Sequence, residues 1–246
     1  MTKLHLIMPM GGNGSRFTHS GFNLPKPLIP IYGKPFFYWA TMSIMKFNEI
    51  LDLTFVVLKE HIDQFAIDNR IHEFFPEAKI VVLEKVLNGP VLTCLRGIED
   101  IADSYPLLFN DCDHLFKSDE FNEACKLDKI SQMNGGLITF HSNLPQYSYV
   151  KFDKNDEVIG TIEKVVASDN AICGAYIFKN ADLFKKIADM YLVNCSYKEF
   201  FVSGMYNEMA KLDGKIGIFS TDYHVPFGIP EEYELALKDE HYKELE

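Results

Sequence analysis

The sequence has no apolar run of the roughly 20 residues that a membrane-spanning helix needs, so no membrane span is expected. It has no charged-then-apolar leader either: Met1 to His5 runs straight into strand-like sequence, and a cytoplasmic location is expected. Cysteine is sparse and unpatterned. Cys94, Cys112, Cys125, Cys173 and Cys195 are odd in number and never spaced as CxxC, which argues against a zinc site and a disulfide framework and leaves reduced thiols. Positive charge is in deficit, with 24 Lys and Arg against 35 Asp and Glu and a net charge of −11. Long-range attraction to nucleic acid or to an anionic membrane needs the opposite sign, so neither is expected as a partner. Any anionic small molecule must then be caught by a local group of cations. Repeats, low-complexity segments and linkers are absent as well, and 246 residues, 47% of them hydrophobic, suit one domain over residues 1–246 with a full core.

Two familiar phosphate-binding strings are also missing. A P-loop needs GxxxxGK followed by Ser or Thr, and a dinucleotide fingerprint needs GxGxxG; here Gly12 and Gly14 are followed by Ser15-Arg16-Phe17. What the chain has instead is the stretch Leu4 to Lys34. An apolar run (Leu4, Leu6, Ile7, Met8) leads into Gly11, Gly12 and Gly14, then Arg16, then Lys26 held between Pro25 and Pro27. A buried strand that empties into a loop without side chains lets backbone N–H groups approach a polyanion, and two cations are delivered to the same mouth.

Downstream, helix-like spacing at Phe36 to Ile44, Ile62 to Phe75 and Val91 to Ile101 alternates with strand-like runs at Leu53 to Leu58, Lys79 to Leu83 and Pro106 to Asn110. This alternation predicts an α/β fold with a mainly parallel sheet covered on both faces and ligands at the carboxyl ends of its strands. Asn110-Asp111-Cys112-Asp113-His114 would then share an edge with the glycine loop. From Gly135 the pattern turns antiparallel, with strands at Leu137 to Phe140, Tyr149 to Phe152, Val158 to Glu163 and Ile172 to Phe178 and a turn at Asp153-Lys154-Asn155-Asp156. Helices are expected at Ala181 to Met190 and Glu199 to Leu212, a strand at Lys215 to Ser220 and a last helix from Pro230.

Three linked motifs, Gly11-Gly12-Asn13-Gly14-Ser15-Arg16, Pro25-Lys26-Pro27-Leu28 and Gly33-Lys34-Pro35, resemble the GGxGxR, PKPL and GKP signature of the sugar-phosphate nucleotidyltransferases, also called nucleoside-diphosphate-sugar pyrophosphorylases. The resemblance runs from Leu4 to Glu232. It implies a Rossmann-like three-layer sandwich of the nucleotidyltransferase and glycosyltransferase A type. Residues 1–134 would form a nucleotide-binding half, and residues 135–246 an acceptor-binding half with the antiparallel portion.

The resemblance also implies roles. Met10, Gly11, Gly12 and Gly14 would line the triphosphate loop; Arg16 would grip the β- and γ-phosphates with its fork, and Lys26 would sit at the α-phosphorus. Leu87 to Thr93 resembles the segment that reads base and ribose, with Asn88, Gly89 and Thr93 as its contacts; a helix cap is the competing role for Asn88. Asp113 would bind Mg2+, with Asp111 as helper, because a hard cation needs only one or two carboxylates beside substrate phosphates. Glu163-Lys164 and Gly174 would meet the acceptor. Gly228-Ile229-Pro230-Glu231-Glu232 resembles the family's GTPED segment, but Pro226 stands where many relatives carry a second metal aspartate, so Asp222 is taken as that ligand, with His224 the alternative.

The implied reaction joins a nucleoside triphosphate to a phosphorylated small molecule with release of pyrophosphate. Met8-Pro9-Met10 replaces the Ala-Gly-Gly opening of typical hexose enzymes and looks like the capsule and cell-surface branch. A sugar 1-phosphate is the expected acceptor; a cytidylyltransferase for a non-sugar phosphate such as phosphocholine or phosphoglutamine is the runner-up. A glycosyltransferase using Asp111-Cys112-Asp113 as a DxD motif and a non-catalytic nucleotide sensor are the alternatives of other classes. A homo-oligomer is compatible with the sequence.

Overall fold

The computed structural model describes residues 2–212 and 214–245; Met1, the first residue of the expected N-terminal strand, lies outside them. The first half contains β1 (Lys3–Met10), α1 (Ser15–His19), a small hairpin of β2 (Pro30–Ile31) and β3 (Lys34–Pro35), α2 (Phe36–Met45), β4 (Glu49–Leu58), α3 (Lys59–Phe65), α4 (Ile67–Phe74), β5 (Lys79–Leu83), α5 (Pro90–Gly97), β6 (Leu107–Asn110), β7 (His114–Lys117) and α6 (Asp119–Lys126). The second contains β8 (Gly135–His141), β9 (Ser148–Phe152), β10 (Val158–Glu163), β11 (Asn170–Phe178), α7 (Ala181–Asn194), α8 (Met205–Lys211), β12 (Ile216–Ser220), β13 (Tyr223–Pro226) and α9 (Pro230–Ala236).

Among the described residues nine strands join in one sheet, in the order β10-β9-β11-β6-β1-β4-β5, with β8 also on β11 and β12 on β8. Strands β6, β1, β4 and β5 pair in parallel, whereas β11 meets β6, β8 and β9 antiparallel. The expected α/β sheet with an antiparallel portion is what the chain forms. β1 reads as a continuous apolar run because both of its faces are covered: Leu4, Leu6, Met8 and Met10 enter one core and Ile7 the other. A third cluster, with Phe17, Phe36, Trp39, Phe227 and Tyr242, fastens the C-terminal segment to the region behind the glycine loop.

Element boundaries differ from the sequence reading at several positions, among them the end of α7, which runs to Asn194 rather than Met190; four of the differences have a local reason. The helix expected over Ile62 to Phe75 is two helices, because Ala66 takes a left-handed conformation (φ 49°, ψ 43°) that ends α3 and starts α4. The helix expected to reach Ile101 ends at Gly97, where a Cβ would lie 2.8 Å from both Ile7 Cγ2 and Val56 Cγ2, so the close approach to β1 and β4 requires glycine. The helix expected from Glu199 begins only at Met205; residues 199–204 instead cross to α5, where Val91 N donates to Phe200 O at 3.0 Å. β4 starts at Glu49 rather than Leu53, its added half facing solvent on alternate residues.

The short elements between Asn110 and Lys126, which the sequence reading missed, shape the neighbourhood of Asp113. β7 and β13 form a separate antiparallel pair that sets Pro226 opposite His114. Helix α6 comes directly after β7, with the Ser118 hydroxyl accepting from Phe121 N at 3.2 Å and acidic Asp119 and Glu120 in the first turn.

Candidate active site

β1 and β6 point their carboxyl ends at the same place, the position where open parallel sheets bind ligands. β1 delivers the glycine loop. Gly14 holds a left-handed conformation (φ 60°) at the start of α1, and its missing Cβ would lie 2.8 Å from Lys26 Cβ, so the loop and the Pro25-Lys26-Pro27 turn close on each other only with glycine there. Gly11 is tight for a different reason, being packed on Leu83 and Thr93, while Gly12 faces open space.

β6 delivers Asp111 and Asp113. Lys26 is ion-paired with Asp113, and about a quarter of each side chain is exposed. Burial pulls the Lys26 ammonium down, but Asp113, Cys112 and Asp111 outweigh it and hold the group above the ordinary lysine value. For Asp113 burial acts upward and the Lys26 charge downward, and the lysine wins. Asp111 forms no ion pair among the described residues: burial and the neighbouring Asp113, offset only in part by Lys26, push its carboxyl up to about 7.

Two glycines frame these carboxylates. A Cβ at Gly174 (φ 102°) would lie 2.8 Å from Asp111 Oδ2, and one at Gly228 would lie 2.6 Å from Asp113 Oδ2. The backbone holds the pair in register, Asp111 N donating to Gly174 O and Phe227 N to Asp113 O, both at 2.9 Å.

Three cavities meet here. One of about 420 Å³ lies between the glycine loop (Gly11, Gly12, Gly14) and Asn88, Gly89 and Thr93. A middle one of about 240 Å³ is walled by Met10, Gly12, Gly14, Lys26, Asp111 and Asp113. A third of about 180 Å³ shares Asp111 and Asp113 with the middle one and adds Gly174, Tyr147, His224 and Glu232. The first and middle cavities share Gly12 and Gly14, and the middle and third share Asp111 and Asp113, so Lys26 and Asp113 stand between the outer two.

The expected site residues therefore converge, with exceptions. Asn88 lines the first cavity without capping α5; Gly89 (φ 99°) takes the N-cap position, its missing Cβ leaving room for Phe200 N, which would stand 2.3 Å away. Arg16, exposed on α1, lines the third cavity rather than the one beside the glycine loop. Glu163 and Lys164 stand behind the wall. The Glu163 carboxylate accepts from Ser148 at 2.5 Å and from Ser203, while the Lys164 ammonium lies 5.7 Å from the Phe201 ring.

Asp222 does not belong to the site. The β7 and β13 register carries it to the far end of the pair, where its carboxylate accepts from Asp119 N at 2.8 Å at the start of α6. His224 does line the third cavity, and both of its ring nitrogens are buried without a partner among the described residues. Burial and then the neighbouring His114 hold it well below the usual histidine range, so it is neutral at pH 7. Among the described residues no group of three or more His, Cys, Asp or Glu is placed to hold a metal.

Sequence reasoning missed the clamp on the third cavity. Glu232 Oε1 accepts from Tyr147 Oη at 2.7 Å and from Gln146 Nε2 at 2.8 Å, and Oε2 accepts from Gly228 N at 2.9 Å. The signal was the acid four residues after Gly228; its partners Gln146 and Tyr147, 86 and 85 positions away in the chain, left none.

The sequence profile of the nucleotidyl transferase family matches residues 5–215. The chain belongs to that family. It is an enzyme of the nucleotidyltransferase type, and the glycosyltransferase alternative gives way to this match. Among relatives, it is 24% identical over 239 residues to D-glycero-alpha-D-manno-heptose 1-phosphate guanylyltransferase of Campylobacter jejuni, covering 94% of this chain and 97% of that one. Its fold is shared by the nucleoside-diphosphate-sugar pyrophosphorylase of Vibrio cholerae RC9, with TM-score 0.80, 21% identity, and coverage of 95% of this chain and 100% of that one. The inositol-1-phosphate CTP transferase of T. maritima is similar at TM-score 0.75 and 16% identity, covering 97% of each. No helix of the described residues is long and apolar enough to cross a membrane.

Proposed function

We propose that this nucleotidyltransferase joins the nucleoside monophosphate part of a nucleoside triphosphate to a sugar 1-phosphate and releases pyrophosphate, in the cytoplasm, for cell-surface or capsular polysaccharide precursors. The observation that carries the reading is the row of shared walls: the cavity beside the side-chain-free loop adjoins the middle one at Gly12 and Gly14, and the middle one, which holds Lys26, adjoins the third at Asp111 and Asp113. Reactants in the two outer cavities meet at the one lysine between them. The acceptor named for the C. jejuni relative, a heptose 1-phosphate, supports a sugar 1-phosphate in the third cavity.

The chemistry needs little beyond placement. A phosphomonoester with a second pKa of about 6 is largely dianionic at neutral pH and attacks the α-phosphorus without a general base. Its oxygen forms the new P–O bond as the bond to the β-phosphate oxygen breaks, and pyrophosphate carries that electron pair away. Lys26 sits where negative charge builds on the non-bridging oxygens. Backbone N–H groups of residues 11–14 hold the triphosphate, and Arg16 reaches the phosphates from the acceptor side.

Asp111 and Asp113 fit a divalent ion such as Mg2+. They are adjacent oxygen donors, and their glycine cradle would be filled by a single Cβ. Such an ion, when bound, neutralises phosphate charge at the α-phosphorus. Pyrophosphate release over a matrix of triphosphates and sugar 1-phosphates, with Mg2+ present, tests the reading. Stoichiometric pyrophosphate and a diphosphate-linked product support it; no release with any pair overturns it.

A further inference from the structure

Among the described residues that line the glycine-loop cavity, Glu199 alone is charged. A carboxylate is an unwelcome neighbour for a triphosphate, so its place in the cavity decides which end of a nucleotide lies beside it. Glu199 belongs to the segment 199–204 that crosses from the second half of the chain. That segment is tied down at Phe200, whose N donates to Asn88 O at 3.3 Å and whose O accepts from Val91 N at 3.0 Å. Glu199 is thereby fixed at the Asn88 end of the cavity, away from the Lys26 end. The phosphates lie toward Lys26 and the base toward Glu199.

We infer that Glu199 reads the base, and that the base it selects is guanine. The inference rests on the nucleotidyltransferase reading and adds the substrate class to it. The deciding quantity is a count of donors and acceptors. Guanine is the base whose pairing edge offers two adjacent donors, N1–H and the N2 amino group, which the two oxygens of a carboxylate accept side by side. Cytosine and adenine set one amino group beside a ring nitrogen lone pair, and uracil and thymine flank their single N–H with two carbonyl oxygens, so each turns at least one lone pair toward the carboxylate. The remaining acceptor on that edge of guanine, O6, calls for a donor. Asn88 lines the same cavity with a side-chain amide that has no hydrogen-bond partner among the described residues. Acid and amide together satisfy all three positions of the guanine edge, with both carboxylate oxygens used.

Glu199 is exposed and its carboxylate makes no hydrogen bond or ion pair among the described residues, so Glu199→Gln leaves the fold intact. Isothermal titration of the full chain with GTP, ITP, CTP, UTP and dTTP, with Mg2+, tests the assignment without any acceptor. Wild type is expected to bind GTP at least about tenfold more tightly than CTP, UTP or dTTP, the scale of losing one hydrogen bond to a charged group. ITP lacks the N2 amino group and is expected to bind about fivefold to tenfold more weakly than GTP to wild type. In Glu199→Gln that gap is expected to shrink to about twofold, a coupling between one side chain and one ligand atom that a merely structural role would not produce. A wild type that prefers a pyrimidine triphosphate, or a GTP/ITP gap unmoved by Glu199→Gln, overturns the inference and leaves the nucleotidyltransferase reading standing. Binding of none of the five overturns both.

Discussion

Lys26 and Asp113 form an ion pair across 87 positions of sequence, in the wall of the middle cavity, and Asp113 also lines the third. The pair exists because Gly14 lets the Pro25-Lys26-Pro27 turn approach the loop and Gly228 leaves room for the Asp113 carboxylate. Removing one member leaves the other charge half-buried and unpaired. Lys26→Ala is expected to lower kcat by about 10²- to 10³-fold, the scale of losing one donor aimed at developing charge. It should also destabilise the fold by about 2 kcal/mol, less for the double variant Lys26→Ala/Asp113→Ala than the sum of the singles. Steady-state pyrophosphate release and urea unfolding check the two effects.

The glycine cradle gives a prediction that touches no charged group. Gly228→Ala places a methyl group against Asp113 Oδ2, and Gly174→Ala places one against Asp111 Oδ2 on a backbone that also disfavours a side chain. Each is expected to reduce activity by more than about tenfold while far-ultraviolet circular dichroism stays native. Gly174→Ala should cost about 1–2 kcal/mol of stability in addition, because its φ of 102° is strained for alanine. Full activity in both variants would remove the two carboxylates from the reacting centre.

Glu232 ties Gln146 and Tyr147 to Gly228 over the third cavity. Glu232→Gln replaces one of its two accepting oxygens by a donor, so at least one of these bonds is lost. The KM for the sugar 1-phosphate is expected to rise about fivefold to tenfold with triphosphate affinity within about twofold of wild type. Equal effects on both substrates would show that the clamp shapes the whole site and not the acceptor side alone.

Much of the site was legible in the chain and part was not, for a physical reason. The glycine loop, the proline-held lysine and Asn88 to Thr93 stand on short local segments, and so do the buried parallel strands that aim them. Glu199 and Glu232 act through segments that cross the molecule, where nothing in the neighbouring sequence announces the partner. Asp222 misled because proximity in sequence to Gly228 suggested proximity to Asp113, whereas an antiparallel strand carries residues away from its partner's start at every step. Ala66 interrupts a helix without the glycine or proline that would signal it.

His5 supplies a pH prediction far from the chemistry. Its side chain is 3% exposed, with Nδ1 2.6 Å from Asp52 and Nε2 2.8 Å from Asp103. Burial acts downward on its pKa, but the two aspartates prevail and hold it above the ordinary value of 6.5. A raised folded-state value means stability that is fully present below the unfolded pKa and is lost as pH rises through the folded one. The aspartates run the other way: Asp52 and Asp103 are held below 3.8, so their share is lost in acid. Against His5→Asn, wild type is therefore expected to gain most stability between about pH 4 and 6.5 and progressively less above it. Urea unfolding of both proteins from pH 4 to 9 checks this, and a difference independent of pH would contradict it.

A crystal structure with a non-hydrolysable triphosphate analogue and Mg2+ shows whether the triphosphate reaches Lys26, where it is to meet the acceptor. The expected result is phosphates along the backbone of residues 11–14, with the α-phosphoryl oxygens within hydrogen-bond reach of Lys26 Nζ and the base beside Asn88. A triphosphate seated elsewhere, or Lys26 still paired only with Asp113 and out of reach of the α-phosphoryl group, would contradict it.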